Sequence, residues 1–255
     1  DADRVGVACQ DASSSDGYRL ITGNEMGILL TDYLCRHALA QGRDLAECVV
    51  VTTLVSSAMT DALAECYGFE LRRTPTGFKY IGEQIAQLEA QGRPDRFLLG
   101  FEESYGYLAG TYVRDKDAVV ASMLICQMAK EYKGRGMTLA QGLDELYGRF
   151  GYWLNRTVSL TYPGLAGARK MQGLMAKLRV EFVDTVANIP TDAKVDYLPD
   201  ADMVELRLAG GAKVVIRPSG TEPKIKAYLF VQAQELSNAQ RQLEALDRGV
   251  RELLA

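Results

Sequence analysis

Five cysteines, one histidine and seven prolines are few for 255 residues, and each shortage excludes something. Cys9, Cys35, Cys48, Cys66 and Cys126 are odd in number and scattered, with no C-x-x-C pair, which argues against a disulfide framework or a zinc site. That usage fits a reducing, cytoplasmic setting. His37 stands near the end of a helical stretch and reads as a surface residue rather than a base. No apolar run approaches the ~20 residues of a membrane helix, and no charged-then-apolar leader opens the chain, so no membrane is expected. Positive charge is not in excess either. Against 33 acidic residues stand 29 basic ones, a net charge of −4, which leaves no broad footprint for nucleic acid but permits a local basic pocket. With 47% hydrophobic and 24% charged residues, no repeat and no low-complexity tract, the composition is that of a soluble globular chain of one large or two ordinary domains. The chain opens without an initiator Met on Asp1-Ala2-Asp3-Arg4, so a piece of a longer protein is expected.

From about residue 48, short β-branched runs alternate with helical periods, the pattern of βαβ units and a mainly parallel sheet. Val49 to Val55 and Phe69 to Arg72 read as strands, as does Arg96 to Gly100. Helices are expected from Met26 to Ala40, capped by Asn24, from a Ser57 cap to Tyr67-Gly68, from Phe78 to Gln91, from Asp117 to Lys133 and from Thr138 to Arg149. Cys126 and Met128 read as core of the fourth of these. Near residue 150 the rhythm changes. Strands at Asn155–Thr161, Val204–Leu208, Lys213–Arg217 and Ile225–Val231, with Gly210-Gly211 as a hairpin signal, are flanked by helices at Gly167–Val180 and Leu236–Leu254. The predicted fold class is therefore α/β: a mainly parallel α/β/α domain followed by a smaller α+β domain with an antiparallel sheet.

Ligands of such parallel sheets sit at the carboxyl ends of the strands. Two loops fall on that rim. Thr74-Pro75-Thr76-Gly77-Phe78-Lys79 also reads as an ordinary strand-to-helix turn. Gly100-Phe101-Glu102-Glu103-Ser104-Tyr105-Gly106 places two carboxylates and a hydroxyl after an apolar strand, suited to accept from sugar hydroxyls. In the second domain, Arg217-Pro218-Ser219-Gly220-Thr221-Glu222-Pro223-Lys224-Ile225-Lys226 carries three cations and one carboxylate, a local charge of +2. It reads as a hairpin turn with basic rims or as an anion site built from Arg217, two hydroxyls and backbone N–H groups. Asp1 and Asp3 alternate as hard-cation ligands do, although an acidic terminus is common. Beyond them, Asp117 looks like an N-cap, Asp115 a charge at the same helix end, and Lys116 is left to face the cleft.

Together these loops resemble the α-D-phosphohexomutase superfamily, in its phosphoglucomutase and phosphomannomutase branch. Members carry a phosphoserine loop, a metal loop D-x-D-x-D-R, a sugar loop of the G-E-x-S or G-F-E-E-S type and a phosphate loop R-x-S-G-T. Asp1 to Arg4 looks like the end of the second, Gly100 to Gly106 like the third and Arg217 to Thr221 like the fourth. The resemblance implies that residues 1–20 are a remnant of the metal-binding domain 2, 21–150 the sugar-binding domain 3 and 151–255 the phosphate-binding domain 4. It implies Mg²⁺ on Asp1 and Asp3, and Arg4 against the phosphorylated intermediate, glucose 1,6-bisphosphate. Thr76, Gly77, Lys79, Glu102, Ser104 and Lys116 would hold the sugar, and Arg217, Ser219, Gly220, Thr221 and Lys226 the phosphate that is not transferred. The phosphoserine loop has no counterpart in these residues. The implied partners are a phosphorylated sugar and missing N-terminal domains of the same protein, and the fragment alone is expected to bind without catalysing. A phosphopentomutase and a stand-alone sugar-phosphate-binding module are the competing readings.

Overall fold

The computed structural model describes every residue except Thr221 and divides into two compact units, Asp1–Phe150 and Gly151–Ala255. In the first, a short ribbon pairs β1 (Val7–Gln10) antiparallel with β2 (Tyr18–Ile21). There follow α1 (Gly23–Ala40), β3 (Val49–Thr53), α2 (Met59–Tyr67), β4 (Glu70–Thr74), α3 (Phe78–Ala90), β5 (Phe97–Glu102), β6 (Gly106–Leu108), α4 (Ala118–Gly134) and α5 (Leu139–Phe150). The central sheet runs β4-β3-β5-β6; β4, β3 and β5 are parallel and β6 is antiparallel at the edge. All five residues of β3 are buried, as a β-branched strand covered on both faces must be.

Successive side chains of β5 point to opposite faces. Gly100 lies against Ile81 of α3, whereas Phe101 lies against Gly27 of α1. Glu102, two residues beyond Gly100, is thereby carried to the α3 side. Val49, Val51, Phe78, Ile81, Ile85, Leu88, Phe97 and Leu108 form the core under α3.

Local expectations needed correction at several points. Thr22, not Asn24, caps α1: Thr22 Oγ1 accepts Glu25 N at 3.2 Å, and Glu25 Oε2 accepts Thr22 N at 2.8 Å, a reciprocal capping box. Asn24 is buried and accepts Ser57 N at 2.8 Å. Ser57 Oγ accepts Met59 N at 3.3 Å, but the residue at the cap of α2 is Ala58, one position later. The third strand extends to Glu102, which makes that carboxylate a strand end rather than a loop residue. Met128 is fully buried while Cys126 is exposed. A separation of two residues turns a helix by about 200°, so both could not face the core.

The second unit contains β7 (Tyr152–Thr161), α6 (Gly164–Val180), β8 (Thr185–Val186), β9 (Ile189–Asp196), β10 (Val204–Leu208), β11 (Lys213–Pro218), β12 (Lys224–Ala233) and α7 (Leu236–Leu253). Its sheet is antiparallel throughout, in the order β7-β12-β11-β10-β9-β8. Alternate residues of the strands, among them Val214, Ile216, Ile225, Ala227 and Leu229, join Met175, Leu178, Leu243, Leu246 and Val250 of the two helices in one core. The opposite sheet face carries Lys213, Arg217 and Lys226 together with Val215, Tyr228 and Phe230, the last three buried. No helix among the described residues is long and apolar enough to cross a membrane.

Candidate functional site

In the first unit the two rim loops meet. Glu102 is 6% exposed, and its Oε1 accepts the backbone N–H of Gly77 at 2.7 Å. Gly77 caps α3 with φ 121° and ψ 122°, a backbone state that side chains with a Cβ rarely adopt. Beside it Thr76 is half-buried, whereas Lys79 is exposed, its Nζ 4.6 Å from the Tyr80 ring. The Lys79 stem runs beside Gly77, while its ammonium lies over Tyr80.

The β5–β6 turn is anchored at its second glutamate: Glu103 Oε2 accepts Thr53 Oγ1 at 3.3 Å at the end of β3. Ser104 is half-buried in the same turn, and β6 then pairs back on β5, Gly106 opposite Glu102. The opening segment lies along this edge. Arg4 forms an antiparallel bridge with Gly106, Val5 N donates to Tyr105 O at 3.2 Å, and Ala118 N donates to Ala2 O at 2.9 Å. Asp3 is thereby brought to Lys116, with Oδ2 3.5 Å from Nζ.

Lys116 is the most enclosed cation of the group, its side chain 11% exposed. Its stem packs against Gly106, and its Nζ lies 5.5 Å from the Phe78 ring centroid and 2.7 Å from Asp115 Oδ1. The bond from Lys116 holds the Asp115 carboxyl below its ordinary value. Asp115 is thus the counter-ion of Lys116. Asp117 is the N-cap of α4, as its position predicts, accepting Val119 N at 2.7 Å and Val120 N at 3.2 Å. Phe78, which follows Gly77 directly and covers Lys116, was not singled out in the sequence; its signal is an aromatic residue closing the T-P-T-G turn.

In the second unit Arg217 of β11 stands opposite Lys226 of β12. Ser219 N donates to Lys224 O at 2.7 Å and closes the turn, while Gly220 is exposed. Lys224 Nζ is 2.6 Å from Glu222 Oε2, and that bond lowers the Glu222 carboxyl. Arg217 Nε donates to Tyr228 Oη at 3.2 Å. The expectation for Thr221 falls outside the described residues.

The Mg²⁺ expectation meets a short donor set. Asp1 is exposed, Asp3 already faces an ammonium group, and among the described residues no group of three or more His, Cys, Asp or Glu side chains is placed to hold a metal. These residues alone do not make a Mg²⁺ site, which needs near-octahedral oxygen ligation.

The parallel-sheet unit with its carboxylate-and-lysine rim, followed by an antiparallel unit with a basic turn, defines a two-domain α/β architecture. Residues 22–150 match the phosphoglucomutase/phosphomannomutase α/β/α domain III, half of the chain, and the chain belongs to that family. A phosphoglucomutase of Staphylococcus aureus (strain bovine RF122 / ET3-1) is 32% identical over 263 residues, covering 96% of this chain and 46% of the relative. The chain therefore spans about half the length of the curated relatives it matches. Among solved structures, parafusin (phosphoglucomutase) from Paramecium in an open form is similar at a TM-score of 0.67 and 19% identity, over 99% of this chain and 44% of that one. A phosphoglucomutase/phosphomannomutase family protein from Burkholderia thailandensis is similar at 0.60 and 16%, over 100% and 44%. At these identities the structural likeness is one of fold.

Proposed function

We propose that this chain is the sugar-binding and phosphate-binding half of a phosphoglucomutase or phosphomannomutase, an intramolecular phosphotransferase that interconverts hexose 1-phosphate and hexose 6-phosphate. The observation that carries the reading is the convergence of Glu102, Gly77 and Lys116 at the strand ends of a unit of this family. A carboxylate whose second oxygen can accept from hydroxyls, beside an enclosed ammonium, suits a polyhydroxylated, phosphorylated ligand. Glu102 and Ser104 read hydroxyls, Lys116 and Arg4 contribute charge, and Thr76 and Gly77 shape the wall.

In this reading Arg217, Ser219, Gly220, Thr221 and Lys226 grip the phosphate that stays on the sugar. Binding the remote phosphate orients the reacting one, which is most of what phosphoryl transfer asks of a protein. Glucose 1,6-bisphosphate is the proposed intermediate. Asp1 and Asp3 are proposed as two carboxylates of a Mg²⁺ loop that these residues do not complete, so no step is assigned to the metal. The phosphoserine that exchanges phosphate lies outside these 255 residues, whose own role is then binding; cytoplasmic location belongs to the same reading.

The test is a titration of the chain with inorganic phosphate and glucose 1-phosphate, followed by backbone amide shifts. Amides at Ser219 and Gly220 should move with both ligands, and those at Gly77 and Ser104 with the sugar phosphate alone. Amides that stay still at tens of millimolar ligand sink the reading.

A further inference from the structure

Arg217 and Tyr228 sit on adjacent strands, with Arg217 opposite Lys226 and Val215 opposite Tyr228. They are therefore diagonal neighbours on one sheet face, within reach of long and aromatic side chains. Ile216, Ile225 and Ala227 turn to the other face and enter the core. Tyr228 is 3% exposed. Its ring centroid lies 5.9 Å from the Arg217 guanidinium carbon, and its hydroxyl accepts Arg217 Nε at 3.2 Å.

An arginine side chain free in solvent samples many rotamers, and a phosphate takes it bidentately only when the guanidinium plane is set. A buried ring cannot follow the arginine, so the bond to its hydroxyl fixes that plane from behind. With Nε committed, the two terminal nitrogens form the edge that remains for two phosphate oxygens. Lys226, directly across from Arg217, adds charge on the same face.

We infer that Tyr228 is a positioning residue for phosphate recognition: without touching the ligand, it orients the Arg217 guanidinium to meet a sugar phosphate end-on. The inference rests on the phosphate-loop reading above and assigns a role to a residue outside that loop.

A double-mutant cycle in the 255-residue chain tests it, with inorganic phosphate and glucose 1-phosphate as probes. Tyr228→Phe keeps the buried ring and removes the hydroxyl, and it should weaken both ligands by about five- to tenfold, the cost of ordering a released arginine side chain on binding. In an Arg217→Ala background the same change should have no further effect. The Arg217 Nε–Hε resonance should be sharp in the parent and broadened in Tyr228→Phe. If Arg217→Ala weakens phosphate and Tyr228→Phe does not, the positioning role is wrong and the loop reading stands. Equal weakening by Tyr228→Phe in both backgrounds also overturns the role. If Arg217→Ala leaves phosphate affinity unchanged, the loop reading falls and the inference with it.

Discussion

The buried carboxylate of Glu102 accepts the backbone N–H of Gly77 at 2.7 Å, tying the end of β5 to the first turn of α3. A bond to an ionised acceptor is shorter and roughly twice as strong as a neutral one. It holds a loop whose glycine stands at φ 121°, so the carboxylate proposed to read sugar hydroxyls also shapes the turn beside it. Gly77→Ala should cost about 1–3 kcal/mol through backbone strain alone. Glu102→Ala should cost a similar amount by leaving the N–H unpaired, roughly 1–3 kcal/mol. Denaturant unfolding measures both. Stabilities equal to the parent's contradict the contact, and each variant should bind glucose 1-phosphate less well while inorganic phosphate binding is kept.

A second prediction concerns Asp32, whose side chain is 3% exposed. Its Oδ1 accepts Tyr67 Oη at 2.6 Å and Arg149 NH1 at 3.1 Å, and its Oδ2 accepts Arg36 Nε at 2.8 Å. One carboxylate thus joins α1, α2 and α5. Burial, joined by the bond to Asp32, drives the Tyr67 phenol above its ordinary value. Asp32→Ala removes the shared acceptor of Tyr67, Arg149 and Arg36 Nε, although Arg36 keeps Glu131 through NH1 at 2.5 Å, so the cost is that of lost bonds to a buried charge, about 1.5–3 kcal/mol. A loss under 1 kcal/mol in urea would show that water replaces the carboxylate at no penalty.

The site was legible in part. Both rim loops and the basic turn stand out because carboxylates and cations at strand ends break the apolar pattern, and the α4 cap at Asp117 is a local feature. Missed elements have weak local signals. β6 is three residues long, and β9 carries a proline and charges, so neither resembles an apolar strand. Tyr228 follows from strand parity with Lys226 only once β12 is placed against β11. The enclosure of Lys116 could not be read at all, because Asp3, Phe78 and Gly106 surround it from three distant stretches of chain.

Acid stability offers a third prediction. Asp247 of α7 is 2.9 Å from Arg156 and 2.5 Å from Arg251. Burial pushes its carboxyl upward, but the bonds from Arg156 and Arg251 outweigh that and hold it below the ordinary carboxylate value. A folded pKa below the unfolded one, about 3.9, gives stability that is fully present above that value. It is lost as pH falls through the folded pKa. The stability gap between the parent and Asp247→Asn should therefore be flat above about pH 5 and close below about pH 4. A gap that widens on acidification contradicts the pairing.

The last prediction concerns the metal. Asp3 Oδ2 faces Lys116 Nζ at 3.5 Å, and the same ammonium is 2.7 Å from Asp115. A divalent ion arriving at Asp3 meets a fixed positive charge on the far side of the carboxylate, with Asp1 the one other carboxylate expected to contribute. Mg²⁺ gives up its water reluctantly and demands near-octahedral geometry, so two carboxylates compromised in this way should bind it only at millimolar concentrations or above. Removing the opposing charge should help: unit charges at 4 Å interact by about 1 kcal/mol in water and more in a partly buried site, so Lys116→Met should tighten Mg²⁺ by at least about fivefold. The same variant should weaken glucose 1-phosphate, because an enclosed ammonium is lost from the proposed sugar site. Calorimetry separates the two effects. A low-micromolar Mg²⁺ affinity in the parent chain, or one that Lys116→Met leaves unchanged, would mean that Lys116 does not govern Asp3 and that the metal is held by another set of ligands.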